Sequence, residues 1–122
     1  TLTHYLVKDE RRNKSTTYNT EQKNTKNAVL HYSLIAHSSN FYLIEVQLET
    51  GRHHQIRVQL AQIGCPIKGD LKYGAKHPNS DASISLHARG ISFIHPVSKK
   101  KIDITAPVPN DNLWKAFEKI VG

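Results

Sequence analysis

Apolar and polar residues alternate along several segments of the chain, and this alternation predicts β-strands. In the clearest segment, residues 41–49, every second residue from Tyr42 to Leu48 is apolar, while Glu45, Gln47 and Glu49 fall on the opposite face. A period of two is typical of a strand that buries one of its faces. The same reading, helped by threonine content in the second case, predicts strands over residues 2–7, 15–18, 28–37, 85–93 and 102–106.

The pattern changes to a helical period after the strand at 41–49. Ile56, Leu60 and Ile63 are spaced i, i+4, i+7, as on one face of a helix. Gly64 follows where a helix commonly places its C-terminal glycine. These signals predict a helix over about residues 53–63.

A second helix is predicted at the end of the sequence. Asn110 or Asp111 would cap its N-terminus, and Leu113, Phe117 and Ile120 would line one face. The short polar segments 38–40 and 98–101 each separate two predicted strands, which indicates two antiparallel hairpins. We therefore expect one α+β domain with a mostly antiparallel sheet and two helices.

Charge adds a class of partner to this picture. The 122 residues include 17 Lys and Arg against 10 Asp and Glu, a formal net charge of +7. Such an excess favours a polyanion partner, because basic side chains displace counterions from phosphates. Mean hydropathy is −0.52, and neither a transmembrane run nor a signal-peptide pattern is present, so we expect a cytoplasmic protein that does not contact membranes.

The ends and the cysteine content carry two further expectations. The sequence contains no methionine and opens on Thr1, so we expect it to be a piece of a longer protein. A single cysteine, Cys65, excludes an intrachain disulfide and is expected to pack as a small apolar residue.

The turn between the strand at 41–49 and the first helix holds the chemistry-bearing residues. Arg52, His53 and His54 precede the helix, where unpaired N–H groups and the helix dipole favour negative charge. Arg57 lies one turn further, beside the apolar Ile56, and is expected to point into a partly buried site. An arginine there needs a carboxylate or phosphate partner. The alternative is a solvated, basic helix start.

Other basic and aromatic residues follow this turn. Lys68, Lys72 and Arg89 are candidates for contacts with a polyanion, together with Arg52, His53 and His54, and Tyr73 could stack on a base or pack against the loop glycines. Asp70 is expected to cap or hydrogen-bond local backbone, as short acidic side chains do in turns.

Metal and cofactor chemistry finds little support in the sequence. There are eight histidines but one cysteine, and the adjacent His53 and His54 are expected to point in different directions, so we predict no metal site. Neither a nucleophile elbow nor a glycine-rich phosphate loop or dinucleotide fingerprint is present, so we predict no cofactor.

The turn and its followers carry a family resemblance. Residues 48–60 read Leu-Glu-Thr-Gly-Arg-His-His-Gln-Ile-Arg-Val-Gln-Leu, and residues 64–74 read Gly-Cys-Pro-Ile-Lys-Gly-Asp-Leu-Lys-Tyr-Gly. With Phe93-Ile94-His95-Pro96 and Ala106-Pro107-Val108-Pro109 in the same order, the sequence resembles the RluA-type pseudouridine synthases over nearly its whole length.

The resemblance implies a reaction and a role for one arginine. The family isomerises uridine in ribosomal or transfer RNA to pseudouridine without cofactor or metal, after the nucleotide is flipped out of the RNA. An aspartate is the key catalyst, and the family's arginine at the position of Arg57 forms a salt bridge to it.

The sequence departs from the family at the catalytic aspartate, which belongs to an upstream His-Arg-Leu-Asp-type motif absent here. The aspartates that are present lie in other contexts: Asp9, Asp70, Asp81, Asp103 and Asp111. We therefore expect residues 1–122 to be the C-terminal part of a synthase catalytic domain, resembling half of its fold and inactive alone. The alternative is a non-catalytic RNA-binding or assembly module.

Surface exposed by truncation would favour self-association.

Overall fold

The computed structural model describes residues 1–94 and 96–121 and confirms an α+β architecture. The elements in chain order are strands β1 (Leu2–Asp9), β2 (Lys14–Tyr18), β3 (Lys26–His37) and β4 (Tyr42–Leu48), helix α1 (Gln55–Gln62), a 3-10 turn (Leu71–Tyr73), strands β5 (Gly90–Ile94) and β6 (Lys101–Thr105), and helix α2 (Asn112–Val121).

The strands form two sheets rather than the single sheet expected. One has four strands in the order β2-β1-β3-β4, and the other is the β5–β6 hairpin; every pairing is antiparallel. Both predicted hairpins are confirmed. The turn between β3 and β4 is closed by a hydrogen bond from the Ser38 N–H to the Phe41 carbonyl, 2.8 Å long.

The core lies where α1 and the 3-10 turn cover one face of the four-stranded sheet. Leu6 of β1, Ala28 of β3, Val58 of α1 and Tyr73 form its buried cluster. Leu30 of β3 is completely buried. Because successive strand residues alternate between faces, the opposite face of these strands does not contribute to this cluster.

The start of α1 and the face that it buries differ from the sequence prediction. The helix begins at Gln55 because His54 adopts a left-handed conformation, with φ of 54°, that interrupts helical geometry. Its buried residues include Gln55, Val58 and Gln59, whereas Ile63, which was predicted to be buried, is 38% exposed. Part of the buried face of α1 therefore consists of polar side chains, which form hydrogen bonds there.

The predicted end of α1 is confirmed. Gly64 has a φ of +85°, and its N–H bonds the Ala61 carbonyl while the Cys65 N–H bonds the Leu60 carbonyl. This pair of bonds satisfies carbonyls that the helix leaves unpaired, and the left-handed position favours glycine. The Cys65 side chain is exposed, so the expectation that it packs as a buried apolar residue is wrong.

The strand predicted over 85–93 begins only at Gly90. Ser85 instead donates its N–H to the Lys68 carbonyl, and Leu86 donates to Ile84. The backbone N–H groups of these residues form hydrogen bonds to neighbouring loops rather than to a partner strand. Alternation of apolar and polar residues was therefore not sufficient to predict a strand here. The predicted end of this strand at His95 lies outside the described residues.

Helix α2 begins as predicted. The Asp111 carboxylate accepts hydrogen bonds from the N–H groups of Leu113, at 2.8 Å, and Trp114, at 3.3 Å, which confirms Asp111 as the cap. Phe117 is 4% exposed, as the predicted apolar face requires; the side chain of Ile120 lies outside the described residues. Across the described chain, no helix has the length and apolar character needed to span a bilayer.

Candidate functional site

Arg57 and Asp70 form a two-bond ion pair at the centre of the site. Arg57 Nε donates to Asp70 Oδ2 at 2.9 Å and Nη2 donates to Oδ1 at 2.8 Å. The arginine side chain is 20% exposed and the aspartate side chain 1%. Hydrogen bonding to Asp70 raises the pKa of Arg57 above its ordinary value. The geometry confirms that Arg57 is partly buried and has a carboxylate partner.

The identity of that partner differs from the expectation. The resemblance placed the acid outside this sequence, whereas Asp70 belongs to the same chain. Asp70 makes no side-chain cap bond, so its expected role as a local cap is also wrong. Gly69 precedes it with φ of +85°, and a Cβ there would meet Asn79 and the Ser83 carbonyl at 2.7 Å. The turn that brings Asp70 to Arg57 therefore requires glycine.

Tyr73 closes the site from the other side. Its hydroxyl accepts a hydrogen bond from the Ser15 N–H at 2.9 Å and lies 2.7 Å from Nδ1 of His54. The guanidinium carbon of Arg57 lies 5.0 Å from the centre of the Tyr73 ring, within the range of a cation–π contact. The ring is 8% exposed. The ring packs against core side chains rather than only against loop glycines; stacking of a base on Tyr73 stays a prediction.

The two adjacent histidines lie face to face, contrary to the expectation that they diverge. Their ring centroids are 3.7 Å apart with 30° between the planes, because the left-handed backbone of His54 turns both rings to one side. Burial, then the charge of Arg57, lowers the pKa of His54 to about 4. A neutral His54 can accept a hydrogen bond from the Tyr73 hydroxyl at Nδ1.

His53 bonds the outer strand of the sheet. The Ser15 hydroxyl donates to the His53 carbonyl at 2.8 Å and lies 3.0 Å from His53 Nδ1. Burial lowers the pKa of His53, and the positive charges of Lys8 and Lys72 lower it further. The carboxylate of Glu10 acts on the same imidazole in the opposite direction and raises its pKa.

Arg52 and Lys72 flank these groups and keep their charge. Arg52 Nε donates to the Asn27 carbonyl at 2.9 Å, and Lys72 Nζ donates to the Asn13 carbonyl at 2.7 Å. Backbone carbonyls orient the two cations without neutralising them. The result is a buried ion pair bordered by exposed positive side chains, an arrangement that suits a phosphate-bearing ligand.

Comparison with known proteins agrees with this chemistry. The family described as RNA pseudouridylate synthase matches residues 1–62. The chain is 41% identical over 92 residues to the Uncharacterized RNA pseudouridine synthase YlyB of Bacillus subtilis, and 42% identical over 94 residues to the Ribosomal large subunit pseudouridine synthase D of Zymomonas mobilis. The chain belongs to the RNA pseudouridylate synthase family.

These alignments cover most of the chain but little of the relatives. They span 75% and 70% of the chain, respectively, and 30% of each relative. A third relative, the Uncharacterized RNA pseudouridine synthase slr1629 of Synechocystis, is 43% identical over 103 residues, which is 82% of the chain and again 30% of the relative. The chain thus corresponds to about 30% of the length of the synthases that it matches.

Two of the predicted RNA-contacting residues are not joined to the ion pair in this member of the family. Lys68 Nζ bonds Asn79 and lies 5.6 Å from the centre of the Phe41 ring, beside an apolar groove. Arg89 donates to the Ala106 carbonyl, next to the β5–β6 hairpin. No contact of either residue with Arg57 is among those recorded for the described part of the chain.

Three groups in the site escaped the sequence reasoning: the Asp70 carboxylate, the Ser15 hydroxyl, and the buried amide of Gln55. The Gln55 amide oxygen accepts from Thr50 and from the Arg52 N–H, which fixes the turn that carries the cations. For Asp70, the available sequence signal was a charged residue placed between a glycine and an apolar residue. For metals, the described residues contain no group of three ligand-type side chains placed to hold an ion.

Proposed function

We propose that the chain contributes part of the catalytic domain of an RNA pseudouridine synthase, which converts uridine to pseudouridine in ribosomal or transfer RNA. The observation that carries the proposal is the Arg57 guanidinium, held by Asp70 at the basic start of α1. Membership of the family and the name of the Zymomonas mobilis relative support RNA as substrate. A cytoplasmic location remains a prediction.

Arg57 can serve two carboxylates at once. Asp70 occupies the edge formed by Nε and Nη2, and Nη1 has no hydrogen bond among those recorded within 1–94 and 96–121. A guanidinium presents hydrogen-bond donors on more than one edge, so a second carboxylate can bind the edge that Asp70 does not occupy. We infer that the catalytic aspartate of the family's upstream motif binds at that edge, while the ion pair with Asp70 orients the Arg57 guanidinium.

The cations around Arg57 would hold the RNA. Arg52, His53 and His54 immediately precede the helix that carries Arg57, and the charges of Lys72 and Arg57 both act on the two histidines. A phosphate approaching the ion pair would therefore meet the positive charges of Arg52, Arg57 and Lys72. Lys68 and Arg89 would contact RNA at separate points, beside the apolar groove and the β5–β6 hairpin.

We propose that residues 1–122 correspond to the C-terminal part of the catalytic domain and resemble half of its fold. The chain matches about 30% of its relatives, and none of its aspartates lies in the family's catalytic motif. We therefore expect the isolated chain to be inactive although it binds RNA.

Tritium release from RNA labelled at uracil C5 tests these points. The chain alone should release no tritium above background. A chimera of the Zymomonas mobilis relative, in which this chain replaces the 94 aligned residues, should release it. Arg57→Ala in the chimera should abolish release, and Glu118→Ala, an exposed residue of α2, should not. Release by the isolated chain, or an active Arg57→Ala chimera, would contradict the proposal.

One observation favours a second candidate, a non-catalytic RNA-binding or assembly module. Arg57 is already paired within the chain, so its burial does not by itself require an external acid. A chimera that folds and binds RNA but never releases tritium would favour this alternative.

We also propose that the isolated chain self-associates. Leu34, Tyr42 and Leu48 of β3 and β4 are 55%, 69% and 50% exposed, and β4 is an edge of the four-stranded sheet. Exposed apolar edges invite pairing with another strand. Light scattering should give a mass that rises with concentration, and Tyr42→Lys should reduce that rise. A constant monomer mass would argue against self-association.

A further inference from the structure

A basic cavity lies beside the Arg57 site, where the sheet extends beyond the start of α1. Along β1, His4, Leu6 and Lys8 share one face because side chains alternate. Helix α1 covers the first part of that face: Gln59 bonds His4 at 2.8 Å, and Leu6 belongs to the core cluster with Val58. Lys8 lies beyond the covered part and points to the same side as the site.

Register brings a second lysine to this end of the sheet. Lys26 of β3 pairs with Leu6, and Ser15 of β2 pairs with Lys8, so all four residues share the face on which α1 packs. With Arg52 and His53 from the turn before α1, they line a cavity of about 290 Å³, close to the lower end of the range for ligand pockets.

The charges around the cavity are mostly unneutralised. Glu10 supplies the one carboxylate among the lining residues, beside Lys8, Lys26 and Arg52. It pairs with Lys8 at 3.4 Å, and its side chain is 82% exposed, so solvent screens this pair. The Arg52 guanidinium bonds the Asn27 carbonyl, which is uncharged. No carboxylate among residues 1–94 and 96–121 is recorded in an ion pair with Lys26 or Arg52.

We propose that this cavity binds a phosphate group through Lys8, Lys26 and Arg52, and that the phosphate belongs to the RNA backbone next to the nucleotide presented to Arg57. The Ser15 hydroxyl joins the two places, because it bonds His53 while the Ser15 N–H bonds the Tyr73 hydroxyl. The proposal rests on the proposed function and adds a subsite to it.

Salt dependence of RNA binding tests the subsite. Each phosphate contact contributes about 0.7 to the slope of log affinity against log salt for a single strand. With a labelled RNA hairpin carrying uridines in its loop, the double variant Lys8→Gln/Lys26→Gln should reduce the slope by about 0.7, the contribution of the one phosphate that both lysines contact, and each single variant should reduce it by a smaller, measurable amount. Lys115→Gln removes an exposed lysine of α2, away from the cavity, and should keep the wild-type slope.

Nuclear magnetic resonance separates the two possible sources of phosphate. At constant ionic strength, both the RNA hairpin and inorganic phosphate should shift the amide signals of Lys8, Lys26 and Arg52, and the double variant should lose both responses. Inorganic phosphate shifting these signals while RNA leaves them unchanged would overturn the RNA subsite.

The outcomes also separate the subsite from the proposed function. Wild-type RNA binding with unchanged slopes in Lys8→Gln and Lys26→Gln would overturn the subsite and leave the function standing. Absence of RNA binding by the wild-type chain would overturn the subsite, and the chimera's tritium release would still decide the catalytic role. Both lysines are exposed, so circular dichroism should show variants folded like the wild type.

Discussion

Removing either partner of the Arg57–Asp70 pair should destabilise the fold, but by unequal amounts. Arg57→Ala leaves a carboxylate that is 1% exposed, and an unpaired buried charge of this kind costs about 3–5 kcal/mol. Asp70→Ala leaves an arginine whose side chain is 20% exposed and can turn towards water. The loss of stability in Asp70→Ala should be about 1.5–3 kcal/mol, the range for hydrogen bonds to charged groups.

A double-mutant cycle isolates the interaction itself. Because the two side chains share two hydrogen bonds, the double variant should cost less than the sum of the singles, with a coupling energy of about 2 kcal/mol. Urea unfolding followed by circular dichroism measures each free energy of unfolding. With a slope of about 2 kcal/mol per molar urea, the Arg57→Ala midpoint should fall by about 1.5–2.5 M.

The same geometry provides a control variant and two results that would contradict the prediction. Glu118→Ala, an exposed acid on α2, should change stability by less than about 0.5 kcal/mol. Additive single effects, within about 0.5 kcal/mol, would refute the pair as an energetic unit. A larger loss in Asp70→Ala than in Arg57→Ala would refute the burial argument.

Three further changes test the surroundings of the site by the same urea assay. The pKa of His54 is lowered to about 4 from 6.5, so the unfolded chain binds the extra proton and stability should fall as pH drops from 6.5 to about 4. His54→Asn, which tolerates left-handed backbone, should make this profile shallower without abolishing it, because the pKa values of His4 and His53 are lowered too; the exposed His77→Asn is the control and should leave the profile unchanged. Gly64→Ala should cost about 1–2 kcal/mol for its positive φ alone, and Gly69→Ala more, because its Cβ would meet two neighbours at 2.7 Å; equal costs would contradict this. Gln55→Ala should lose about 2–3 kcal/mol, because a buried amide with three hydrogen bonds disappears; a loss under about 0.5 kcal/mol, typical of surface sites, would contradict it.

Local signals predicted the parts of the fold that local physics controls. The turn at 38–40, Gly64 after α1 and the Asp111 cap each depend on a few neighbouring residues, and all three are confirmed. The strand predicted over 85–93 begins five residues late, because pairing requires a partner strand that alternation cannot reveal.

The geometry of the site depends more on tertiary contacts than these local features of the fold do. A partly buried Arg57 with a carboxylate partner followed from its apolar neighbours, but Asp70 was assigned to local backbone because its burial results from the turn at Gly69. The backbone of His54, which starts the helix late and stacks two imidazoles, has no signature in hydrophobic period. Functional geometry arose where long-range bonds overrode local preference.

Two glutamines on α1 determine how the helix is rotated about its own axis. Gln55 bonds the Val29 carbonyl, and Gln59, which is completely buried, bonds His4 and the Ala28 carbonyl. Directional bonds accept one rotation, whereas an apolar stripe tolerates several with similar burial. Leucine at these positions would leave the Val29 and Ala28 carbonyls without these partners and would allow other rotations of α1. The direction of the Arg57 guanidinium therefore depends on two polar residues in an otherwise apolar interface.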